Sequence, residues 1–372
     1  MNTIILRNID KYFFWFLIFL FFWLKYLPFR KNKYLKNPKK ILVIRLWALW
    51  SSLLIFPMIK QLKNYYWENI KIDLLASSRN KIVFKNQSYF NEIYNFFSFK
   101  DFLKILLKFK NYDIVIDTEE YFRITALLSC YLWKLSIWFW EILFRKFCYN
   151  YFINYEWKHQ VLEYLKLLEP LNIKYETPEK LEELLVLDKD KIKVDNFLKQ
   201  FSGKIKICMH TAWAETSPDR FWAIENWKNL IEKLIDKYGK KIIIFLSWTN
   251  FEKRQVDRLI KMLDKKYQKQ VISLVNKFSL FEFAYFLKNC DLMISNDTWP
   301  MHLSSAMQTK TIWLFGPNLP ERFGAWPLNK NINIYKWNWK VYVNVMRWKF
   351  EEDKEKNIEK ISVEDVFSKI NF

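Results

Sequence analysis

Residues 292–303 have the sequence LMISNDTWPMHL. The apolar start of this stretch predicts a buried strand, and a polar turn follows it from Asn296 to Thr298. Pro300 then opens a helical pattern, because proline fits the first turn of a helix, where its missing N–H is not needed. A helix that begins at the end of a strand directs its first N–H groups outward. The stretch therefore predicts a binding site for an anion such as a diphosphate.

A helix cap is the alternative interpretation of the same turn. The side chain of Asp297 or Thr298 could accept a hydrogen bond from the first helical N–H groups and so serve the helix alone. Trp299 bears on this choice, since an indole at the helix start would block the phosphate approach that a glycine permits. Spacing alone leaves both interpretations open.

Strands and helices alternate on both sides of this stretch. We predict strands at residues 41–44, 70–75, 113–117, 205–209, 242–246, 271–274, 292–295 and 311–315. We predict helices at residues 51–63, 101–110, 122–132, 158–168, 225–238, 251–263, 280–288 and 300–307. This alternation is typical of an α/β protein with two Rossmann-like, doubly wound domains that face a cleft, because ligands bind where the carboxyl ends of parallel strands open into a crevice.

Composition and patterning divide the chain into five segments. We place a hydrophobic segment and basic linker at residues 1–37, the first Rossmann-like domain at 38–175, a charged linker at 176–203, the second Rossmann-like domain at 204–345, and a C-terminal helical tail at 346–372. A chain of 372 residues also favours two domains, since single hydrophobic cores stop growing beyond about 250–300 residues.

The hydrophobic segment is an uncharged apolar run at residues 12–24 that continues, after Lys25, to Phe29. It is short for a membrane-spanning helix, which needs about 20 residues, and no small-residue cleavage site follows it. The basic residues from Arg30 to Lys40 belong at the cytoplasmic side of a membrane. We therefore expect residues 12–29 to form an interfacial or shallow anchor helix. A helix docked on the surface of the same protein is the alternative.

The overall composition excludes several classes of protein. Hydrophobic residues make up 51% of the chain and charged residues 27%, so the chain is not of the disordered class. The formal net charge of +21 could indicate a nucleic-acid or anionic-membrane partner. The Lys residues are scattered and no nucleic-acid-binding motif is present, which favours a phosphate-rich ligand or an acidic lipid over nucleic acid. The four Cys residues form no Cys-x-x-Cys pair and the three His residues are dispersed. We expect no disulfide framework, no metal site and no bound cofactor.

Glycine is scarce and tryptophan abundant in this chain. There are 4 Gly and 19 Trp residues, although ordinary usage of about 7% would give roughly 26 glycines. Several Trp residues, among them Trp47, Trp50 and Trp299, stand where a backbone turn favours glycine. We therefore hypothesise that many of these Trp residues are glycines, since some genetic codes translate UGA as glycine. UGG codons at these positions would contradict the hypothesis.

Six segments resemble, in the same order, the heptosyltransferase family, which is glycosyltransferase family 9 and has the GT-B fold. Residues 297–302 are similar to its Asp-Thr-Gly-x-x-His motif, and residues 41–57, with Arg45, Trp47 and Trp50, to its first strand and Gly-rich loop. The other segments are 137–139, 210–213, 220–227 and 313–317, which resemble its Ile-Gly-Phe element, His-x-x-Gly loop, basic-Trp-Pro segment and closing Gly-Pro turn. The resemblance covers residues 40 to 335.

The resemblance implies inverting, metal-independent transfer of a heptose-like sugar. The donor would be a nucleotide-diphosphate sugar, typically ADP-linked, held by the second domain. The acceptor would be a lipid-linked cell-envelope glycan such as lipopolysaccharide core, presented to the first domain at the cytoplasmic face of the inner membrane. In agreement with metal independence, the only Asp-x-Asp motif, at residues 188–190, lies in the charged linker, where solvated surface is expected.

Two other functions remain as alternatives. The chain could be a catalytically inactive member that binds a nucleotide sugar or a glycolipid. It could also be a GT-B-type sugar-nucleotide epimerase, which would convert the donor without any acceptor. The order of the family segments favours the transferase over the epimerase.

The resemblance also implies a set of donor-binding residues. These are Arg220, His210, Thr211, Asp297, Thr298, Trp299, Pro300 and His302. Arg220 and the helix at Pro300 would meet the negative charge of the leaving diphosphate. A surface arginine is the alternative for Arg220, and a core histidine bonded to the backbone is the alternative for His302.

The general base is the point at which this chain departs from the family pattern. The family places an aspartate, a candidate base, after the second glycine of the first loop, and this chain has Ser51. Serine alone is a poor base, so we expect Ser51 to be the N-cap of the following helix. The base could instead be Asp117, Glu119 or Glu120, at the carboxyl end of a predicted strand. Asp117 is the first candidate.

Overall fold

The computed structural model describes part of the chain. The described residues are 37–46, 49, 51–67, 70–108, 111–120, 122–131, 135–139, 148–211, 220–246, 252–316, 318–336 and 357–372. The predicted anchor at residues 12–29, together with Trp47 and Trp50, lies outside them. Within the described ranges, no helix combines the length and apolar composition that crossing a bilayer requires. The chain divides between Thr177 and Pro178 into two compact domains.

Apolar runs form a parallel sheet of six strands in the first domain. The strands are β1 (Lys40–Arg45), β2 (Lys71–Ala76), β3 (Glu92–Asn95), β4 (Ile114–Asp117), β5 (Leu135–Phe139) and β6 (Tyr151–Ile153). Their order across the sheet is β3-β2-β1-β4-β5-β6, and every neighbouring pair is parallel. The β1 residues 41–44 are fully buried, as expected for a central strand covered on both faces.

Helices connect these strands. They are α1 (Phe56–Tyr66), α2 (Lys81–Phe84), α3 (Phe99–Lys108), α4 (Arg123–Tyr131) and α5 (Gln160–Lys166), with 3-10 turns at Leu53–Ile55 and Glu169–Leu171. Ile105 of α3 and Leu128 of α4 pack in one core cluster with Leu42 and Ile44 of β1. These two helices therefore cover the same face of the first sheet.

The second domain repeats this topology. Its strands are β7 (Ile205–His210), β8 (Ile242–Leu246), β9 (Val271–Ser273), β10 (Leu292–Asn296), β11 (Thr311–Leu314) and β12 (Ile332–Ile334). Their order is β12-β11-β10-β7-β8-β9, again with parallel neighbours. Counted from the first strand of its own domain, each sheet has the same order. The strand order therefore reverses between β1 and β4 and between β7 and β10, where doubly wound sheets bind ligands.

The helices of the second domain follow its strands in alternation. They are α6 (Asp188–Leu198), α7 (Ile224–Tyr238), α8 (Lys253–Met262), α9 (Lys265–Gln268), α10 (Leu280–Lys288), α11 (Trp299–Ala306), α12 (Pro320–Phe323) and α13 (Val363–Phe367), with 3-10 turns at Lys199–Phe201, Gly239–Lys241 and Asn357–Lys360. Ser279 begins α10 with a capping box closed by Glu282. The C-terminal segment belongs to this domain's core, because Ile361 and Val366 are buried there and Trp222 Nε1 donates to Ile361 O at 2.8 Å.

The predicted doubly wound α/β fold is confirmed in both domains. Each predicted strand and helix is present, most of them within two residues of the predicted bounds. The strands that were not predicted are β3, β5, β6 and β12. Three of these, β3, β6 and β12, are edge strands of three or four residues with partly exposed side chains, so they lack the continuous apolar run by which the central strands were predicted.

Candidate functional site

The second domain gathers the predicted donor-binding residues at the carboxyl ends of β7 and β10. The two strands are neighbours, with His210 paired to Ser295 in the register. Thr211 follows β7 directly, and its carbonyl accepts a hydrogen bond from Asn296 Nδ2 at 3.4 Å. Asp297 and the helix α11 come next. The reversal of strand order thus brings together residues that lie about ninety positions apart in the sequence.

Asp297 is buried and binds two side chains. Its Oδ2 accepts a hydrogen bond from Asn318 Nδ2 and lies 3.5 Å from Arg220 Nε, and its carbonyl accepts from Arg220 Nη1 at 3.5 Å. Burial raises the pKa of the Asp297 carboxyl, and this effect outweighs the lowering by Arg220 and Asn318. The carboxylate therefore holds the Arg220 side chain at the end of β10.

Thr298 occupies the N-cap position of α11 without capping it through its side chain. Its Oγ1 lies 3.2 Å from Ser295 Oγ and 3.3 Å from Asn296 O, so the hydroxyl is bound to the end of β10. The Asp297 carboxylate is engaged with Asn318 and Arg220 instead. The helix-cap interpretation of these two side chains is therefore wrong, while their contact with a donor stays a prediction.

Trp299 and Pro300 form the first turn of α11, as the proline signal predicts. The Trp299 ring packs edge-on against Phe283, with 6.3 Å between ring centroids and 71° between ring planes. An indole therefore stands at the helix start, where the family motif has glycine.

Both predicted site histidines are buried. His210 is the last residue of β7, and burial lowers its pKa to about 3, so the imidazole is neutral near pH 7. His302 lies against Trp313 of β11, with the ring centroids 5.4 Å apart and the planes at 79°. This packing agrees with the core interpretation of His302, and a phosphate contact by either histidine stays a prediction.

Thr211 and Glu252 carry buried polar atoms near the same sheet edge. Thr211 Oγ1 and Glu252 Oε2 have no partner within the ranges that the structure describes. Glu252 is the N-cap residue of α8 and follows β8, the strand next to β7. Burial raises the pKa of Glu252 to about 9. Since buried polar groups are nearly always satisfied, both side chains are candidates for contact with a ligand.

Glu252 is a candidate site residue that the sequence analysis did not name. In nucleotide-binding folds of this kind, an acidic residue beyond the first βα unit binds the ribose hydroxyls. An acidic residue shortly after β8 is therefore the signal that could have identified Glu252. Its burial, however, is visible only in the structure.

The first domain gathers its candidates at the carboxyl ends of β1 and β4, where Ile44 pairs with Asp117. Arg45 is buried here and its Nη1 donates to Thr118 O at 2.8 Å. The Glu119 carboxylate accepts from Leu46 N at 2.6 Å and lies 3.7 Å from Arg45 Nη1.

The charge of Arg45 is stabilised by its surroundings. Burial lowers the pKa of Arg45, but Tyr164 and the carboxyl groups of Glu119, Glu120 and Asp117 raise it, and together they prevail. The guanidinium therefore stays charged within a group of acidic side chains.

Asp117 and Glu120 differ in how they are held. Asp117 is fully buried, and its carboxylate accepts hydrogen bonds from Glu119 N, at 2.8 Å, and from the Tyr149 hydroxyl. Tyr149 in turn stacks on Trp138, with ring centroids 5.1 Å apart. Glu120 forms no hydrogen bond to another residue in the part of the chain that the structure describes. Asp117 is thus held in the interior by two hydrogen bonds, whereas Glu120 interacts with Arg45 through charge alone.

The structure corrects the prediction for Ser51. Its hydroxyl accepts a hydrogen bond from Arg45 Nη2, and α1 begins only at Phe56, after the 3-10 turn Leu53–Ile55. The N-cap of α1 is Ile55, so the expectation that Ser51 caps this helix is wrong. The inserted 3-10 turn is the physical reason, because it moves the helix start several residues along the chain.

The structure gives no metal-binding cluster in the described ranges, since no three His, Cys, Asp or Glu side chains there could share an ion. The Asp-x-Asp motif lies in the first turn of α6. Its Asp188 is exposed and pairs with Lys191 at 2.8 Å, as expected for a solvated helix surface.

Comparisons with known proteins find similarity to one family. Residues 103–349 match the model of the family described as glycosyltransferase family 9 (heptosyltransferase). The chain is 29% identical over 318 residues to lipopolysaccharide heptosyltransferase 1 of Campylobacter coli, which covers 78% of this chain and 88% of that protein. 

Two solved structures share the fold. The glycosyl transferase family 9 protein of Veillonella parvula gives a TM-score of 0.75 at 19% sequence identity. The superposition covers 91% of this chain and 97% of the V. parvula chain. The E. coli heptosyltransferase WaaC with ADP-2-deoxy-2-fluoro heptose gives a TM-score of 0.63 at 18% identity, covering 88% of this chain and 98% of its own.

Proposed function

Because this chain belongs to glycosyltransferase family 9, the heptosyltransferases, and is therefore a glycosyltransferase, we propose that it transfers a heptose-like sugar from an ADP-linked donor to a lipid-linked cell-envelope glycan. The C. coli relative is a lipopolysaccharide heptosyltransferase, and the E. coli neighbour was solved with an ADP-heptose analogue. These names support lipopolysaccharide core as the acceptor class and ADP-heptose as the donor class.

The observation that carries the donor assignment is the pair of buried polar atoms Thr211 Oγ1 and Glu252 Oε2, which follow the neighbouring strands β7 and β8 and form no hydrogen bond within the described ranges. A nucleotide diphosphate supplies what both atoms lack. Its ribose hydroxyls can donate to Glu252, and its phosphate oxygens can accept from the Thr211 hydroxyl. The N-terminus of α11 and the Arg220 guanidinium then meet the charge that develops on the leaving diphosphate.

The first domain supplies the base in this proposal. Among the residues that the structure describes, Glu120 is the carboxyl group at the β4 end that forms no hydrogen bond, whereas Asp117 and Glu119 are bound to Tyr149 and to Leu46 N. Glu120 would accept the proton of the acceptor hydroxyl as that oxygen attacks the anomeric carbon. The bond from the anomeric carbon to the diphosphate breaks, ADP leaves, and the anomeric configuration inverts. Protein groups stabilise the leaving group, so no metal is required.

Membrane attachment is the second part of the proposal. We infer that residues 12–29 hold the enzyme at the cytoplasmic face of the inner membrane, either as an anchor or peripherally, where a lipid-linked acceptor is presented. The support is the apolar run followed by basic residues from Arg30 to Lys40.

Product analysis tests the proposal. The full chain is incubated with ADP-heptose and a heptose-deficient lipid acceptor, with and without a chelator. Acceptor-dependent ADP release that is insensitive to the chelator, with inverted anomeric configuration in the product, is expected. Donor binding without ADP release would identify an inactive binding protein. Conversion of the donor without acceptor would identify an epimerase, and either result would overturn the proposed function.

A further inference from the structure

Helix α3 of the first domain exposes a stripe of large apolar side chains. Phe99 is 77% exposed, Leu103 42% and Leu107 82%. These residues are four positions apart, so they lie on one face of the helix. Phe97, which is 50% exposed, lies two residues before the stripe. We call Phe99, Leu103 and Leu107 the α3 stripe.

Phe99 and Leu107 of the α3 stripe contribute little to the packing of the domain, because most of their surface is exposed. The opposite face of the helix packs on the domain core through Ile105 and Phe102. Ile105 is fully buried, and Phe102 packs on the cluster that contains Tyr94 and Tyr112. The outer face of a helix in a water-soluble domain normally carries polar residues. Two nearly unburied large side chains on one stripe therefore mark an interaction surface.

Lysines border the α3 stripe on one side. Lys100 and Lys104 are exposed and follow Phe99 and Leu103 directly in the sequence, which places them in the adjacent row around the helix. Neither forms an ion pair with another residue in the described parts of the chain. Lys108 continues the row but is bound to Glu92 at 2.9 Å. An apolar sector bordered by unpaired lysines is the pattern of a helix that lies in a membrane interface.

We propose that the outer face of α3 docks the first domain onto an anionic phospholipid surface. Phe99, Leu103 and Leu107 enter the boundary between head groups and acyl chains, and Lys100 and Lys104 bind lipid phosphates. Charge complementarity favours an anionic bilayer over a second copy of this chain as the partner of the α3 stripe. A second copy of this chain would bring the same lysines against one another, whereas an anionic bilayer attracts each lysine near its surface.

The position of α3 places the membrane contact near the candidate catalytic residues of the first domain. The helix begins just after β3, at the sheet edge where all the parallel strands of the first domain have their carboxyl ends, including the β4 end with Glu120. Docking through Phe99 therefore holds this edge close to the bilayer. The membrane contact is separate from the predicted anchor at residues 12–29, and it stands whether or not the proposed sugar transfer is correct.

A fluorescent probe on the stripe tests the proposal in the full chain. An environment-sensitive dye is attached through Leu107→Cys, with Ile192→Cys as the matched control, because Ile192 is an exposed apolar residue (60%) on α6 of the second domain. Cys148, Cys208 and Cys290 are buried, and the parent chain treated with the same dye measures any background labelling. The vesicles are phosphatidylethanolamine with phosphatidylglycerol, or phosphatidylcholine alone.

We expect the emission at position 107 to shift to the blue with the anionic vesicles, and the control position to stay unchanged. Adding Lys100→Glu and Lys104→Glu should raise the vesicle concentration for half-maximal shift by on the order of tenfold or more, since each lysine near an anionic surface contributes several-fold in affinity. An unchanged emission at 107, or an equal shift at the control position, would overturn the proposal.

Two other occupants give distinguishable results. A blue emission at position 107 without vesicles would show that the chain itself covers the stripe, and a shift that depends on protein concentration alone would show a second copy. Either result contradicts the proposal. Turnover of a detergent-soluble acceptor by the Lys100→Glu, Lys104→Glu variant should equal that of the parent, so loss of docking is separable from loss of transfer.

Discussion

The amide of Asn318 donates a hydrogen bond to the carboxylate of Asp297 at the carboxyl end of β10. The same carboxylate lies 3.5 Å from Arg220 Nε, so the Asn318 amide and the Arg220 guanidinium share one buried anion. Because burial raises the pKa of Asp297, these two donors are what favour its charged form. Asn318 thus fixes Arg220 through Asp297, without contacting the proposed diphosphate itself.

Removing the Asn318 amide should weaken donor binding. In Asn318→Ala the pKa of Asp297 rises further and the carboxylate holds Arg220 less firmly. We expect KM for the donor to rise by about tenfold and the free energy of unfolding to fall by about 1–3 kcal/mol, as for other lost bonds to buried carboxylates. Steady-state kinetics and denaturant unfolding measure the two effects.

Asn331→Ala is the matched control for this prediction. Asn331 Nδ2 donates to Pro327 O at 3.1 Å in the same domain, away from the strand ends that carry the site. Its removal should lower stability while KM stays within about twofold. If both variants raise KM equally, the effect of Asn318 is a general loss of structure and the positioning role is wrong.

Glu252→Gln should stabilise the unliganded protein at alkaline pH and weaken donor binding. The pKa of Glu252 is about 9 in the folded chain against an ordinary value of 4.5. Between these values the unfolded chain is ionised while the folded chain keeps the proton, so stability falls as pH rises through this window. The glutamine side chain does not titrate in this range, so the variant lacks this loss of stability. We therefore expect the Tm of the variant to exceed that of the parent by about 3 °C or more at pH 8, and the two to converge below pH 4.5.

Thermal unfolding from pH 4 to pH 8, without ligand, checks this difference. ADP titration measures how much the ribose hydrogen bonds weaken when an amide replaces the carboxyl group. Glu179→Gln removes the same charge from an exposed position and should leave both Tm and ADP affinity unchanged. A Glu252→Gln variant that is less stable than the parent at pH 8 would show that the carboxylate is ionised and paired in the folded chain.

Glu120→Gln should abolish turnover while leaving the fold intact. Loss of a general base lowers kcat by about 10²–10⁴-fold, and donor affinity should be unchanged because the donor lies on the other domain. Tyr149→Phe serves as the control, since it removes the hydrogen bond to Asp117 without altering Glu120. It should lower stability and leave kcat within a few-fold. Full activity of Glu120→Gln, together with inactivity of Asp117→Asn, would identify Asp117 as the general base and contradict the role of Glu120.

Much of the fold was predictable from the sequence because its central strands are buried on both faces. Runs such as residues 41–44 and 242–246 are continuously apolar, which fixes both their type and their bounds. Although the edge strand β9 was predicted, the edge strands β3, β6 and β12 were missed. Their side chains are partly exposed, so β3 and β12 resemble the loops around them.

The site was predictable only in part, for a different reason. A motif such as Asp297-Thr298 marks a strand end from local sequence, but the partner of a side chain depends on which strands are neighbours. The sequence does not show that Asn318 donates a hydrogen bond to Asp297, or that Arg45 donates one to the Ser51 hydroxyl. Nor does it show the 3-10 turn that moves the start of α1 to Phe56. The burial of Glu252 is likewise a tertiary property.

Trp67→Gly should stabilise the protein. Trp67 ends α1 with φ 56° and ψ −161°, a backbone conformation that is nearly restricted to glycine, and its side chain is 75% exposed. Relief of this backbone strain should stabilise the folded chain by about 1–3 kcal/mol. Glycine also gives the unfolded chain more conformational freedom, which destabilises the folded state by about 0.5–1 kcal/mol. We expect a net rise of about 1–2 kcal/mol in the free energy of unfolding.

Asn172→Gly is the control for Trp67, because Asn172 also has positive φ, at 55°, but in the left-handed region that asparagine tolerates. It should change stability by less than about 0.5 kcal/mol. Trp157, with φ 62°, is a second position of the same kind. UGG codons at 67 and 157 would contradict the hypothesis that these residues are glycines read as tryptophan, whatever the stability of the variants.

Trp299→Gly should strengthen donor binding. The indole stands at the first residue of α11, beside Thr298 and Pro300, where the approach of a diphosphate to the helix N-terminus needs a small residue. We expect ADP-heptose affinity to rise at least about tenfold, and the Tm shift on adding donor to grow by mass action. Trp299→Ala removes the ring without freeing the backbone, so an intermediate gain would separate the two contributions. An unchanged affinity in both variants would show that the phosphates do not approach α11 past position 299, and the diphosphate would have to be placed elsewhere along the β7 and β10 ends.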